Sequence, residues 1–260
     1  MIKMHCSRLM AGSLQRVLLQ RGMCGTISLA SSILHTPMRT LSSFRALTPR
    51  RALMYVPGSD ERKLAKVPQL GADCVCLDCE DGVAASKKTE ARENIRSVLD
   101  SRRVDFGGSE CSVRVNSVES GLCGQDVRVV LGGENLPSAL HLPKVSGRDD
   151  LLYLRGAMEE ALGGQQEKIG LIMFIESARS LLDIDSICSA ARQLSEEGAP
   201  FVPEALVFGS DDFAADIGAT RTKENTELLV ARQQVDLASY RSHFYSRRLC
   251  WRPRLTDFRP

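Results

Sequence analysis

Short apolar runs alternate with longer amphipathic segments between about residues 51 and 234 of this 260-residue chain. The apolar runs have the length of buried strands, and the segments between them have helical spacing. The predicted strands are residues 52–56, 74–77, 112–115, 139–142, 170–175 and 205–208, and the predicted helices are residues 61–66, 86–99, 149–162, 178–194 and 224–234. This alternation of strand and helix predicts parallel βαβ units of the α/β class.

The same order fits either an open doubly wound sheet or most of a TIM (β/α)8-type barrel. No Gly-x-Gly-x-x-Gly follows the first strand, and polar or charged residues end nearly every strand rather than one switch point. These residues are Tyr55, Asp78, Arg114, Lys144, Glu176 and the pair Asp211 and Asp212. The pattern favours the barrel, whose strand ends face one mouth. About six of its eight strands are recognisable, so we expect an incomplete barrel.

Charge is unevenly distributed along a chain whose formal net charge is only +2, so no nucleic-acid partner is expected. Residues 1–59 contain no Asp or Glu, and Arg recurs among Ser and Leu. This composition predicts a mitochondrial transit peptide over residues 1–50 and a location in the mitochondrial matrix. No apolar run reaches transmembrane length, so no membrane association is expected. Residues 51–234 would form the barrel domain, and residues 235–260 a divergent, basic, disordered tail.

Nine cysteines are present without the spacing of a disulfide framework, so free thiols are expected. Cys74, Cys76 and Cys79 could form a soft-metal site. They lie in a strand-like run with no second Cys or His pair, and small buried packing residues are therefore the favoured interpretation.

The segment after the first strand is a candidate anion site. A Pro-Gly turn leads to Ser59 and Asp60 as helix cap residues, and Arg62 and Lys66 would lie four residues apart on one helical face. A phosphate-bearing ligand fits this arrangement. The alternative is an ordinary solvated helix face.

Carboxylates follow three different predicted strands, which suggests a hard metal ion. Asp78, Glu80 and Asp81 form an acidic turn, and Glu176 and Asp212 end two later strands. Oxygen ligands without a nearby His suit Mg²⁺ or Mn²⁺ rather than Zn²⁺. Arg114 is placed either to bind a substrate carboxylate in bidentate fashion or to form a salt bridge with the acidic turn. The four histidines form no catalytic constellation, and His141 is expected to be packed within a strand.

Six sequence motifs together resemble the citrate lyase beta-subunit-like (HpcH/HpaI aldolase) family and occur in the order found there. They are residues 51–60 (RALMYVPGSD), 77–83 (LDCEDGV), 113–116 (VRVN), 142–145 (LPKV), 174–177 (FIES) and 207–213 (VFGSDDF). The resemblance covers residues 50 to 234. It implies a Mg²⁺-dependent TIM-barrel lyase that cleaves a 3-hydroxyacyl-CoA, with citramalyl-CoA as the expected substrate and acetyl-CoA and pyruvate as products.

The resemblance also implies roles for individual residues. Glu176 and Asp212 would be the metal ligands, and Arg114 would hold the substrate near the reacting carbonyl. The coenzyme A side would be lined by Tyr55, Arg62 and Lys66, although Lys is frequent in the family where this chain has Arg62. The acidic turn at Asp78, Glu80 and Asp81 would lie beside the metal and orient its waters. A homo-oligomer, a trimer by family resemblance, is expected if the barrel is complete.

The chain departs from the family pattern after residue 234. Family members continue with two more strands and a segment that supplies a catalytic acid, so little lyase turnover is expected from this sequence. Three alternatives stay open. The chain could be an active lyase, perhaps catalysing a malate synthase-like reverse reaction as well. It could be an impaired isoform that binds metal or CoA or associates with full-length subunits. It could also be a phosphoenolpyruvate-type or 2-oxoacid aldolase with the same arrangement of carboxylates and Mg²⁺.

Overall fold

The computed structural model describes residues 50–101, 106–165, 167–242 and 244. The chain divides into two units, Met1–Phe44 and Arg45–Pro260, and every described residue belongs to the second unit. The transit peptide predicted for residues 1–50 therefore lies outside the described residues, apart from Arg50. The end of the predicted tail, from residue 245 onward, lies outside them as well.

Six parallel strands form one sheet in sequence order. They are β1 (Leu53–Pro57), β2 (Cys74–Asp78), β3 (Glu110–Arg114), β4 (Ala139–Leu142), β5 (Ile169–Ile175) and β6 (Phe201–Phe208). All six predicted strands are confirmed, with small shifts at their ends. A doubly wound sheet would reverse its strand order at a switch point, whereas a (β/α)8-type barrel adds each strand beside the last. The observed order therefore agrees with the barrel.

Eight α-helices and three short 3₁₀ helices lie between or after these strands in the described part of the chain. The α-helices are α1 (Glu61–Leu64), α2 (Lys88–Ser101), α3 (Cys123–Leu131), α4 (Arg148–Leu162), α5 (Ala178–Leu182), α6 (Ile184–Glu196), α7 (Ser210–Asp216) and α8 (Leu229–Arg241). The 3₁₀ helices are Val67–Gln69, Ala85–Lys87 and Thr226–Leu228. None of the described helices is both long enough and apolar enough to span a bilayer.

The inner strands of the sheet are the most buried, as expected for parallel strands covered by crossover helices. Every residue of β2 and β5 is buried. On one face the strands pack against the helices through a large apolar cluster that includes Ile95 of α2 and Leu151 of α4. The other face carries a smaller apolar cluster of five residues: Ala139, Ile172, Phe174, Ala205 and Val207. Cys74, Cys76 and Cys79 are fully buried and free, in agreement with the predicted packing role.

The structure corrects the helix predictions at three places. The helix predicted for residues 178–194 is two helices that meet at Asp183. The short helices α3 and α7 were not predicted, because each has fewer than ten residues and so shows little periodicity. The helix predicted for residues 224–234 begins later, and α8 continues to Arg241.

The extension of α8 also corrects the domain boundary predicted at residue 234. Val235, Ala238 and Ser239 are buried, and so is Phe244 beyond the helix. The spacing of Ala231, Val235 and Ala238 continues one helical face past the predicted end, and no Gly or Pro interrupts it. Residues 235–241 are therefore part of the folded unit and not of a disordered tail.

Candidate functional site

The acidic turn after β2 is organised around Asp78, the last residue of that strand. Its two carboxylate oxygens accept hydrogen bonds from the backbone N–H groups of Glu80 at 2.8 Å and of Gly82 at 2.9 Å. A Cβ atom at position 82 would lie 2.6 Å from Asp78 Oδ2, so glycine allows this close approach. The sequence Asp-Cys-Glu-Asp-Gly at residues 78–82 thus folds into a compact turn in which the Asp78 carboxylate accepts hydrogen bonds from the backbone.

Arg114, the last residue of β3, is bound by this turn. Its Nε and Nη2 atoms donate to the two oxygens of Asp78, each at 2.7 Å, and Nη1 lies 2.9 Å from Glu80 Oε2. Burial lowers the pKa of Arg114, but the hydrogen bond and charge of Asp78 and the charge of Glu80 outweigh it and raise the pKa above its usual value. The guanidinium carbon lies 4.7 Å from the centre of the Tyr55 ring. Arg114 was predicted either to bind a substrate carboxylate or to form a salt bridge with the acidic turn. The salt bridge is present in the structure.

Lys144, two residues after β4, connects the acidic turn to the later strands. Its ammonium lies 3.0 Å from Glu80 Oε1 and 3.6 Å from both Asp81 Oδ1 and Asp212 Oδ2. Its backbone N–H donates to Glu176 Oε2 at 2.8 Å. One residue therefore contacts carboxylates that come from three separate segments of the chain.

Glu176 follows β5 directly and is buried, with 8% of its surface exposed. Burial raises its pKa to about 7; the Lys144 N–H opposes this rise, and the charges of Glu80 and Asp212 add to it. Gly209, the residue after β6, lies against this side chain, and a Cβ atom there would overlap the carboxylate. The side chain is therefore fixed between the loop after β4 and the loop after β6.

Asp212 lies in the first turn of α7, and its Oδ2 atom is buried without a hydrogen-bond partner among the described residues. The structure thus brings together four of the predicted acids, Glu80, Asp81, Glu176 and Asp212, around Lys144, with Asp78 behind them. Five carboxylates share two cationic side chains, Lys144 and Arg114. This excess of negative charge, and the Asp212 oxygen that lacks a hydrogen bond among the described residues, fit a bound cation.

The chemistry of the donors fits a hard divalent ion. Mg²⁺ in proteins is commonly held by one or two carboxylates, with waters and substrate oxygens completing the shell. Within the described ranges, no three His, Cys, Asp or Glu side chains converge into a fuller metal-binding group. Glu176 and Asp212 would therefore form a partial ligand set, open to water and substrate.

The residues predicted to line a coenzyme A site are less tightly grouped. Tyr55 lies in the middle of β1, paired with Cys76, and not at the carboxyl end of the strand as predicted. Asp60 caps α1 by accepting the Lys63 N–H at 3.1 Å, as predicted. However, α1 ends at Leu64, so Arg62 and Lys66 do not share one face of a continuous helix. Both side chains are exposed.

Comparison with known proteins gives the family. Residues 51–246 match the family model described as HpcH/HpaI aldolase/citrate lyase. This chain belongs to that family. Mitochondrial citramalyl-CoA lyase of Homo sapiens is 43% identical over 196 residues, which are 75% of this chain and 57% of that protein. L-malyl-CoA/beta-methylmalyl-CoA lyase of Rhodobacter capsulatus is 31% identical over 69% of this chain and 56% of that protein.

Solved structures of the family confirm the barrel-type fold. RipC from Yersinia pestis has a TM-score of 0.56 and 26% identity, with 76% of this chain and 74% of that chain covered. CitE from Mycobacterium tuberculosis in complex with magnesium and acetoacetate has a TM-score of 0.54 and 22% identity, with 74% and 69% covered. The chain spans a little under three fifths of the length of the human and R. capsulatus relatives.

Two residues that shape this carboxylate group were not assigned a role from the sequence. The role of Lys144 depends on its backbone, which adopts a left-handed conformation with φ of 53°. Gly209 leaves the space that Glu176 occupies. For Gly209 a signal existed, because a glycine between a buried strand and two acids indicates a close approach of side chain to backbone. For Lys144 the sequence indicates only a charged residue near a strand end.

Proposed function

We propose that this chain carries the metal-binding and acyl-CoA-binding region of a Mg²⁺-dependent carbon–carbon lyase. The proposed reaction is cleavage of a 3-hydroxyacyl-CoA, with citramalyl-CoA giving acetyl-CoA and pyruvate. Support comes from the relatives, several of which are named as citramalyl-CoA or malyl-CoA lyases.

The single observation that carries the proposal is the group of carboxylates around Lys144. Glu176 is buried with a raised pKa, and the nearby Asp212 has a buried oxygen without a hydrogen bond among the described residues. Crowded carboxylates are stable only when cations compensate them. These two residues would hold Mg²⁺, and Asp78, Glu80 and Asp81 would surround it and orient its waters.

Cleavage breaks the bond between C2 and C3 of the acyl chain. The hydroxyl at C3 loses its proton and becomes the ketone of pyruvate, while the electron pair moves to C2 as the enolate of the thioester. That enolate then takes up a proton to give acetyl-CoA. When bound, Mg²⁺ would act as a Lewis acid toward the oxygens of the acyl group.

Arg114 would stabilise the negative charge that develops near the thioester carbonyl. Its bidentate pair with Asp78 fixes the plane of the guanidinium and uses two of its five N–H groups. The Tyr55 ring supports the guanidinium from one face. This side chain is therefore held in place before a substrate binds, which is the condition for electrostatic stabilisation at low reorganisation cost.

Tyr55, Arg62 and Lys66 would line the side of the site that receives coenzyme A. Arg62 and Lys66 are exposed cations on the segment that follows β1, close in sequence to the Pro-Gly turn. They would bind phosphate groups as separate, solvated charges rather than as one helical face. Their contribution is therefore expected to depend on ionic strength.

We also propose the mitochondrial matrix as the location and a homo-oligomer, a trimer by family resemblance, as the assembly. The acid-free, Arg-containing segment at residues 1–59 and the mitochondrial human, rat and mouse relatives support the location. Only family resemblance supports the assembly.

The metal and the reaction are tested together. Mg²⁺ binding is measured by isothermal titration calorimetry, and pyruvate release from citramalyl-CoA is measured by coupling to NADH oxidation. Mg²⁺ binding is expected, together with a turnover well below that of a full-length relative, and both should be lost in Glu176→Gln and in Asp212→Asn. Normal binding of Mg²⁺ and CoA without any pyruvate release would overturn the lyase proposal and leave a binding protein.

The coenzyme A side is tested by retention on a CoA resin. Changing Arg62 and Lys66 together to Ala should abolish retention at low salt, because two phosphate-binding charges are removed. Lys63→Ala is the matched control, since Lys63 is an exposed lysine on the same short helix that pairs with Asp60. Equal retention of the double variant and the control would exclude this segment from the CoA site.

A further inference from the structure

Lys144 has a backbone conformation and a set of contacts that the proposed reaction does not explain. It is one of two non-glycine residues with a left-handed backbone in the described ranges. This conformation, unusual for a residue with a Cβ atom, directs its backbone N–H to Glu176 and its side chain to Glu80. Both ends of the residue thus reach the carboxylate group of the site.

The ammonium of Lys144 occupies a position that a metal ion would compete for. It lies within 3.6 Å of oxygens of Glu80, Asp81 and Asp212, and 39% of the Lys144 side chain is exposed. A lysine side chain is charged at neutral pH, and three carboxylates lie around this ammonium. A positive charge this close to Asp212 would repel an incoming divalent ion.

The alternative partners of these carboxylates do not replace Lys144. Arg114 neutralises Asp78 and one oxygen of Glu80, but it lies 3.9 Å from Asp81 and no ion pair joins it to Asp212 within the described residues. Without Lys144, Asp212 would have no ion pair among the described residues, and Asp81 would keep only its 3.9 Å contact with Arg114. The long, flexible and half-exposed side chain of Lys144 can also move toward solvent at little cost.

We propose that the Lys144 ammonium is a built-in counter-ion, which stabilises the carboxylate group in the absence of metal and is displaced from Asp212 when a divalent ion binds. This inference rests on the proposed metal site. It assigns Lys144 as a positioning residue that sets metal affinity and keeps the metal-free site folded. Its contact with the metal ligands would therefore lower the affinity for the metal and raise the stability of the metal-free protein.

The test compares Mg²⁺ affinity and metal-free stability in the same variants. Lys144→Met and Lys144→Gln remove the charge while retaining a Cβ atom. The energetic cost of the left-handed backbone at position 144 is therefore similar in the wild type and in both variants. The dissociation constant for Mg²⁺, measured by calorimetry at pH 8, should fall roughly tenfold in both variants, because a nearby unit charge no longer opposes the ion. Their thermal unfolding midpoints in EDTA should lie below that of the wild-type chain. Addition of Mg²⁺ should raise the midpoints of these variants by more than it raises the wild-type midpoint.

Lys144→Arg is the control that retains the charge, and its affinity for Mg²⁺ should stay within about threefold of wild type. Equal or weaker Mg²⁺ binding by both neutral variants would overturn the counter-ion role while leaving the metal site intact. Absence of Mg²⁺ binding in the wild-type chain and in every variant would overturn the metal site itself, and the counter-ion role with it.

Discussion

The sheet carries a cluster of charged side chains near each end, and the two clusters differ in whether their charges are satisfied. At the amino-terminal side, Arg50 donates to Glu110 at 2.5 and 2.6 Å and also pairs with Glu204. The Arg50 and Glu110 side chains are only 8% and 6% exposed. At the carboxyl-terminal side, Asp81, Asp212 and Lys144 are each more than a third exposed, and Asp212 Oδ2 lacks a hydrogen bond among the described residues.

This difference separates a structural ion cluster from a binding site. The Arg50 cluster is closed to water, and its arginine contacts both carboxylates directly, so the cluster links β3 and β6 to the segment before β1. The Lys144 cluster is open, has an excess of carboxylates and uses a flexible cation. In barrel enzymes the carboxyl-terminal face carries the chemistry and the opposite face contributes stability. Three predictions test whether the two clusters divide in this way.

The largest effect is expected from Arg50→Met. Removing the arginine takes away the cation that Glu110 and Glu204 share, and loss of one partner of the buried Arg50–Glu110 pair should cost about 3 to 5 kcal/mol of unfolding free energy. Urea unfolding followed by circular dichroism measures this loss. Arg51→Met is the control, because the Arg51 side chain is 80% exposed and its pair with Asp73 should contribute little. Equal effects of the two substitutions would show that the Arg50 cluster is no more structural than a surface pair.

The second prediction concerns His141, which lies on β4 between the two clusters. It is fully buried, and neither ring nitrogen has a hydrogen-bond partner among the described residues. Burial, together with the charges of Arg50 and Arg114, lowers its pKa to about 3. The unfolded chain therefore binds a proton below about pH 6.5 that the folded chain does not, so stability falls as pH drops from 6.5 toward 3.

Substituting His141 should remove this acid sensitivity. Between pH 8 and pH 5 the wild-type chain should lose about 2 kcal/mol more stability than His141→Phe, which keeps a ring without the titrating group. His141→Leu provides a second non-titrating side chain. Its comparison with His141→Phe separates the effect of losing the aromatic ring from the effect of losing the titrating group. Parallel stability curves for the wild type and both variants across this pH range would contradict the buried, neutral state of His141.

The smallest effect is expected from Gly209→Ala. A methyl group there would push the Glu176 carboxylate away from its position, and affinity for Mg²⁺ should fall roughly tenfold, or about 1.4 kcal/mol. Calorimetric titration measures it. Gly156→Ala is the control, since a Cβ atom at this exposed helical position meets nothing within 4 Å and should leave metal binding unchanged. If Gly209→Ala bound Mg²⁺ as tightly as the control, Glu176 would not be a ligand.

The amino-acid sequence by itself determined the class of fold and the acids of the site. Each apolar run became a strand of the sheet, because a short apolar run of four to eight residues leaves few other solutions in a chain of alternating elements. Asp78, Glu176 and Asp212 could be assigned to one mouth because connectivity alone brings the carboxyl ends of parallel strands to one edge. The end of α8 was mispredicted because apolar residues occur on several sides of this helix, including exposed Val230 and Leu237.

Only the tertiary structure decided how those acids are compensated. The bidentate pair of Arg114 with Asp78 depends on strand register, which sets these two residues opposite each other. The approach of Lys144 to four carboxylates depends on a left-handed backbone at a residue that is not glycine. Such contacts join residues 32 to 68 positions apart and depend on rotamers and loop dihedral angles, which no local pattern of hydrophobic and polar residues encodes.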